Sequence, residues 1–441
     1  MKARYASVET IYNNTPITAN TESETESFSY ADEGSAKSDS IQLTLSCIDE
    51  KWLNGWMPKK GATLTSTIKV QDWNGEGDNR AFACGCFLLD DLSFSGNPRT
   101  MQIGAVSAPT DESFAATKRT QTWQGAGIRQ IGETIAGRSG LALYYDAPEI
   151  GIELAEQNDT DAAFYANLCE NYGLCLKVYN NRLVVFDREA YKAKPAVAVV
   201  DAANMKKWDW NTTIAGTYTG GSLDYTDNKK DADIHVAIGG GSRTLKLNQA
   251  ASSVADGAIQ LAAALNKNNH GMTKLSFSTM GTPGLVAGQC IAITGLGAVN
   301  GKYYLDRVTH SITGQGYVCS YEASLVTGSF SAGDASGTIT YNPVADDTYA
   351  DYKSTYETSG ATEAKGATAA KGGGAAISLS NCPLYYTSVA KKRSNTVSGT
   401  YYLYDGILIA GRYRITNLAS RCGKTPIGTY VTGWIDAAYV K

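Results

Sequence analysis

Only three histidines occur in the 441 residues, and they stand far apart. His235 falls in an alternating, strand-like run, His270 at a helix end beside Gly271, and His310 in the run RVTHSI. No two have the spacing of metal ligands, and no serine or cysteine sits in an elbow-type nucleophile motif. Each histidine is expected to serve the fold rather than a reaction. The nine cysteines are odd in number and scattered one per element, which is not a disulfide framework. They are expected to be reduced, small and mostly buried. Cys84-Gly85-Cys86 is the one close pair. A regular strand turns both thiols to the same face, but no second pair or nearby histidine completes a tetrahedral site.

Gly423-Lys424-Thr425 has the ending of a phosphate-binding loop, but the required first glycine would be position 418, which is Leu418, and Pro426 stands where a helix should begin. Gly239 to Gly241 has no lysine after it and reads as a turn. The acidic pairs Asp90-Asp91 and Asp346-Asp347 have no sequence feature that sets the separation glycoside hydrolysis needs, and the second lies in a poor platform for preorganised chemistry. No catalytic, cofactor-binding or metal-binding residue is therefore assigned. Tyrosine is abundant, 27 against nine phenylalanines, and suits wet interfaces because it buries area behind a polar tip. Near the C-terminus Tyr401, Tyr402, Tyr404, Tyr430 and Trp434 either line a sugar- or peptide-binding groove or fill a small barrel. They are the candidate contacts to a ligand.

The elements around these residues divide the chain. A length of 441 residues implies two to four domains. Residues 1–108 read as strands: Ile41, Leu43 and Leu45 alternate with polar residues, 62–70 and 87–92 follow similarly, and 74–79 (NGEGDN) is an exposed loop. Helices enter over 109–204. One is expected over 123–138, with Ile128, Ile131 and Ile135 on one face and Gly140 as its stop, followed by a strand over 141–146. A second is capped by Asp159 or Thr160, carries the stripe Phe164, Leu168 and Tyr172, and ends at Gly173. It leads into a hairpin turning at Asn180-Asn181, since asparagine tolerates positive φ. Residues 205–327 return to strands around one helix over 253–268, whose face is Val254, Ala258, Leu261, Ala262 and Leu265. Residues 328–378 are rich in Gly, Ala and Ser and read as a flexible linker. Residues 379–441 form a compact block of five short β-like runs, with turns at Asp405-Gly406 and 424–428.

The net charge of −4 and pI near 5.6 argue against a protein whose work is gripping nucleic acid. No window reaches 18 apolar residues, and the N-terminus lacks the apolar core of a secretory signal, so the protein is expected to be made and held in the cytoplasm unless a larger assembly carries it out.

The wording of the chain carries further information. The stretch NDTDAAFYANLCENYGLCLKVYNNRLVVFD (158–187) resembles the "T-D-x-x-F-x-x-x-L-C-E-x-x-G-L" segment of phage tail hub proteins, the late control protein D family, and of their relatives in type VI secretion spikes. The order of the other segments agrees. FSYADEGSAKSDSIQLTLSCIDEKWLNGWMPKKG (28–61) is similar to the family's opening. AVSA (105–108), Trp123 and 128–141 match the next block, and Thr217-Tyr218-Thr219-Gly220 and GLVAGQCIAITGLGAVNGKYYLDRVTHSI (284–312) match the last. The family pattern commonly has histidine at the place of His310, which implies a packing or hydrogen-bonding role. The resemblance covers roughly residues 1–327. The ending ASRCGKTPIGTYVTGWIDAAYV (419–440) resembles bacterial SH3-like domains, which often bind peptidoglycan.

The resemblance implies a mainly β fold with α+β segments: a first hub β-barrel domain over 1–108, an α+β peripheral domain over 109–204, a second hub β-barrel over 205–327, the linker over 328–378 and an SH3-like domain over 379–441. It implies a structural baseplate hub of a contractile phage tail or tail-like particle, without enzymatic activity or cofactor. Its expected partners are two further copies of itself in a homotrimer, the tail tube protein, spike and baseplate proteins, the tape measure protein, and peptidoglycan through the last domain. Three subunits can match a six-fold tube when each presents two similar domains. The alternatives are a cell-wall-targeted murein hydrolase, a cell-wall-binding tail protein and a free-standing adhesin. A hydrolase needs an assembled catalytic centre, which residues 1–327 do not offer, and an adhesin needs a secretion signal.

Overall fold

The computed structural model describes residues 3–17, 24–35, 37–48, 51–109, 111–227, 232–341, 373–388, 390, 392–409, 411–424 and 430–440. They belong to two compact units, Met1–Val344 and Ala345–Lys441. The chain is mainly β, with several sheets. Most of the expected linker, 342–372, and most of the expected turn over 424–428 lie outside the described residues.

One thirteen-stranded sheet organises the first unit. Strands from 1–108 and from 205–327 meet in it through the antiparallel pair Thr25–Glu33 and Gly301–Thr313. They also share one core, in which Phe28, Leu43, Leu45 and Met101 pack with Leu275, Val308 and Tyr321. Ile41, Leu43 and Leu45 are buried as their alternation predicts. Arg80–Ser95 is the strand that folds the sheet back on itself. Its first half pairs with Thr63–Gln71, and its second half pairs with Thr100–Val106 on the other side. A register shift opposite Ser66/Thr67 inserts Cys84 as an extra residue, and Gly85 takes φ +111°. The bulge overturns the shared-face reading of the Cys84/Cys86 pair: Cys84 is buried and Cys86 only half-buried. All nine cysteines are free.

The α+β segment has its own core. It holds helices α1 (Ser113–Ala116), α2 (Ile128–Arg138), α3 (Asp161–Asn171) and α4 (Arg188–Ala193). The helix expected from Trp123 begins only at Ile128, because Gln121–Gly127 is a strand paired with Gly151–Gln157. Gly125, at φ +62°, and Gly127 break helical continuation there. Thr160 caps α3, its hydroxyl accepting the Ala163 N–H at 3.2 Å. Gly173 takes φ +76°, and Asn180 and Asn181 take φ of 46° and 58° in the hairpin turn. The buried face of α3 is rotated from the expected stripe: Asp161, Tyr165, Leu168 and Cys169 point inward, while Phe164 and Tyr172 are half-buried. Tyr165 explains the rotation. Its hydroxyl donates to the Ile128 carbonyl at 3.1 Å, and its ring lies over Gly132, where a Cβ would stand 2.1 Å from that hydroxyl.

Helix α5 (Val254–His270) is capped by Ser253 and lies on a second sheet of Thr244–Leu247, Gly220–Asp227, Ala232–Gly239 and Ser336–Tyr341. That last strand falls where the linker was expected to begin. Its Gly-Thr-Ile-Thr run, poor in buried apolar area, is held by edge pairing with Ala232–Gly239.

The second unit is a four-stranded sheet, Ala376–Leu384, Asn395–Ile409, Arg412–Thr416 and Gly433–Asp436, around Leu379, Cys382, Leu403, Ile415 and Ile435. Tyr385 and Trp434 exchange backbone hydrogen bonds of 2.9 and 2.8 Å, which brings the first strand back to the last and closes the sheet. The turn expected at Asp405-Gly406 is instead an irregularity inside the long second strand, with Gly406 at φ +70°.

Candidate functional surface

The large sheet is two-faced. On its core side seven successive strands bury large apolar residues, and the eighth, Met205–Thr212, stays exposed along most of its length. On the other side the register lines up small polar residues in rows that cross the strands. One row runs Thr313, Ser27, Thr44, Gln102 and Ser93. The next runs Ser311, Ser29, Gln42, Gly104 and Asp91. A third begins Lys207, Ser278, Ser320 and Thr309. Charge gathers at one margin, in the row Asp209, Ser276, Glu322, Arg307 and Glu33. Arg307 answers Glu33 at 3.0 Å and Glu322 at 3.5 Å. At about 4.8 Å per strand this face is roughly 34 Å wide. Serine, threonine and glutamine side chains make most of this face hydrophilic, with Asp91 and Lys207 as the charges within these three rows.

This eight-strand surface has an edge at each end. Met205–Thr212 pairs on one side with Thr273–Met280 and, among the described residues, with no strand on the other. At the far end, Asp91–Ser95 pairs with Thr100–Met101 and onward to Gly104, and Thr63–Gln71 stops pairing at Leu88. Trp208 and Trp210 stay 50% and 36% exposed on the first edge. Trp208 lies across from buried Phe277, so core-type surface continues to the rim of the sheet.

Buried polar groups fix the α+β segment to this sheet. Lys177 donates to Asp32 at 2.7 Å, to the Glu33 carbonyl at 2.8 Å and to Asp39 at 2.9 Å, so all three ammonium protons have acceptors. Asp32 also accepts the Ala287 N–H at 2.7 Å. Burial raises the Asp39 carboxyl to about 7, outweighing the opposing pull of Lys177. Burial works against the charge of Lys177, but Asp32 and Asp39 outweigh it and hold the ammonium above its ordinary range. Neither this cluster nor the buried Asp161, which accepts from Arg119 at 3.0 Å, Arg138 at 3.2 Å and Gln157 at 2.7 Å, was foreseen from sequence. The cations in both clusters lie far in the chain from the carboxylates they meet: Lys177 from Asp32, and Arg119 and Arg138 from Asp161.

His310 is buried, stacked on Tyr30 at 5.7 Å. Its Nε2–H donates to the Leu285 carbonyl at 3.2 Å, which leaves Nδ1 to accept from the Tyr317 hydroxyl at 2.7 Å. Cys319 lies 3.2 Å from that same Nδ1. The pair has the geometry of a thiol and base but the wrong electrostatics. Burial lowers His310 to about 4 and raises Cys319, so both stay neutral. The exposed side chains of His235 and Asp224 face each other across two paired strands, and His270 faces Asp306, each at 2.5 Å. Among the described residues no group of three or more His, Cys, Asp or Glu could hold a metal.

In the second unit, Leu403 and Tyr404 are buried, whereas Tyr401, Tyr402, Tyr430 and Trp434 are half-buried. Tyr401 packs against the core, and the Tyr404 hydroxyl donates to the Lys424 carbonyl. Adjacent on one strand, Tyr401 and Tyr402 point to opposite faces. Trp434 carries the Arg414 guanidinium 4.9 Å from its ring centre, and Tyr385 carries that of Arg412 at 3.4 Å. Asp405 and Asp436 neutralise those two arginines.

Known structures share the fold. The 43 kDa tail protein of prophage MuSo2 from Shewanella oneidensis superposes with a TM-score of 0.56 at 11% identity, over 73% of this chain and 98% of that one. The tail protein from Neisseria meningitidis MC58 gives 0.56 at 11% identity, over 72% and 96%. An E. coli component of the type VI secretion system gives 0.47 at 10%, over 89% and 85%. No family model and no curated protein matches the sequence. The likeness to the two phage tail proteins, at 11% identity, establishes a shared fold alone.

Proposed function

We propose that this protein is a structural, non-enzymatic baseplate hub subunit of a contractile phage tail or tail-like particle, joining the tail tube to spike and baseplate proteins. The two-faced sheet with an edge at each end carries this reading. Its edges are different strands, so joining one edge of a copy to the other edge of the next is a head-to-tail contact, which either closes a ring or grows a filament. We assign the ring to three copies. Three eight-stranded faces make 24 strands, about 115 Å around and about 37 Å between opposite backbones at 4.8 Å spacing. The hydroxyl-rich face then lines a channel of suitable width for a polymer, with the tape measure protein as one expected occupant. The domain division at 108, 204, 327 and 378 is part of this proposal, as is contact of the SH3-like unit with the cell wall through Tyr401, Tyr402, Tyr404, Tyr430 and Trp434.

Light scattering of the purified protein, followed by labelling of particles from the producing strain, tests the reading. A trimer that Trp208→Lys converts to monomer, together with label at the tip of the tail, is expected. A parent that remains monomeric at high concentration, or label along the tail shaft, contradicts it.

A further inference from the structure

The overall charge of −4 hides a division within the chain. Residues 379–441 carry eight Lys and Arg against two acids, a local charge of +6, so the remainder carries −10. Both acids of this block are spent: Asp436 accepts from Arg412 at 2.7 Å, and Asp405 from Arg414 at 2.5 Å. Lys392 and Arg393, in the loop that also exposes Tyr386, and Lys424, in a second loop, are exposed. Among the described residues of the unit, from 373 onward, no carboxylate is left to answer them. The aromatic rings are situated differently. Arg412 covers a face of Tyr385 and Arg414 a face of Trp434, so two of the rings that could stack on a neutral sugar already have one face engaged. What the unit offers to a partner is uncompensated positive charge.

We infer that the C-terminal unit recognises a phosphodiester-linked anionic polymer of the bacterial envelope, a polyol-phosphate chain rather than the neutral glycan. The inference rests on the reading of this unit as the part of the protein that meets the cell wall, and it names the chemistry of that contact. A repeating phosphate backbone matches several separate lysines and arginines without needing a deep pocket, and its binding releases condensed counterions. Nucleic acid has the same backbone. It is less well suited, because base recognition on single strands uses free aromatic faces, and here guanidinium groups already occupy one face of two of the rings.

The test uses the full chain, purified bacterial walls rich in polyol phosphate, the same walls stripped of phosphate polymers by hydrofluoric acid, and a 30-base-pair DNA duplex. The inference expects sedimentation with intact walls that weakens steeply between 50 and 300 mM NaCl and is lost on stripped walls. The triple variant Lys392→Glu/Arg393→Glu/Lys424→Glu should bind at least about tenfold more weakly, with a shallower salt dependence. Lys59→Glu/Lys60→Glu, exposed in the other unit, should bind like the parent. An unchanged melting temperature for the triple variant separates lost binding from lost folding. Undiminished, salt-insensitive binding to stripped walls overturns the inference while preserving the cell-wall reading. Duplex binding as tight as wall binding at the same salt overturns it in favour of nucleic acid. Absence of binding to either wall preparation removes both the inference and the reading beneath it.

Discussion

Two buried groups in the shared core titrate in opposite directions. Asp39, raised from 3.8 to about 7, takes up a proton in the native state as pH falls through that window, before the unfolded chain does. Its contribution to stability is fully present below about 3.8 and is lost as pH rises towards 7. His310, lowered from 6.5 to about 4, does the reverse: its contribution is present above 6.5 and is lost as pH falls towards 4. They lie on either side of Tyr30, which donates to Asp39 at 3.3 Å and stacks on His310, and their slopes oppose between about 4 and 6.5. Measured against the parent by urea melts of tryptophan fluorescence, Asn at position 39 (Asp39→Asn) should make the first unit lose stability more steeply on acidification. His310→Gln should make it lose less, or gain. Parallel curves for all three proteins would show that neither group titrates in that window. Lys177→Met is a harsher change. It leaves two carboxylates buried without their cation, and a loss of about 3–5 kcal/mol is expected at pH 8, with less at pH 5, where Asp39 can take a proton. Little of this was legible in sequence. His310 was read as a packing residue on resemblance, but Lys177, Asp32 and Asp39 look like ordinary surface charges until the fold brings positions 32 and 177 together.

At the level of elements, local signals were read well and tertiary choices were not. The Thr160 cap, the Gly173 stop and the Asn180-Asn181 turn each rest on backbone conformation that a residue type favours by itself, so the sequence displays them. Thr160→Ala should destabilise the α+β core by about 1 kcal/mol in a thermal or urea melt. The inward face of α3 depended instead on a glycine in another helix. Gly132 is the socket for Tyr165, and nothing within 161–171 announces it. Gly132→Ala therefore provides a test of sign. In an exposed helix interior this substitution stabilises by roughly 1 kcal/mol. Here the new methyl meets the Tyr165 ring, and a loss of about 1–3 kcal/mol is expected. A stabilised variant would mean that Tyr165 does not occupy that socket. The helix that failed to begin at Trp123 teaches a related lesson. Apolar spacing continues through Trp123 and Ala126, but two glycines and a partner strand at Gly151–Gln157 decide the matter.

Over the whole molecule, strand-rich character at both ends of the first unit is evident from alternation, but alternation cannot say that both regions share one sheet. Only the pairing of Thr25–Glu33 with Gly301–Thr313 does so, and it produces a surface whose ends differ. Net charge was similarly blind: one figure of −4 averages an acidic body and a basic C-terminal block. The difference between the sheet's ends yields the final prediction. If Met205–Thr212 of one copy lies beside the 91–95 edge of the next, a cysteine on each edge, Asn211→Cys with Ser93→Cys, should link neighbouring copies on mild oxidation. Both positions are on the polar face, where a disulfide does not disturb the core. Each copy carries one of each edge, so the covalent series must stop when the ring closes. A non-reducing gel should therefore show dimer and trimer with nothing larger, and either single variant should show only its background. A series that stops at dimer would mean that like edges meet in a two-fold contact, and a series without limit would mean an open filament. The native thiols interfere little, because seven of the nine are buried and only Cys86 and Cys422 are partly accessible. Closure at three would make the hydroxyl-rich face the inside of a ring. Closure at any other number would leave the sheet's two-faced character intact and remove the hub geometry built on it.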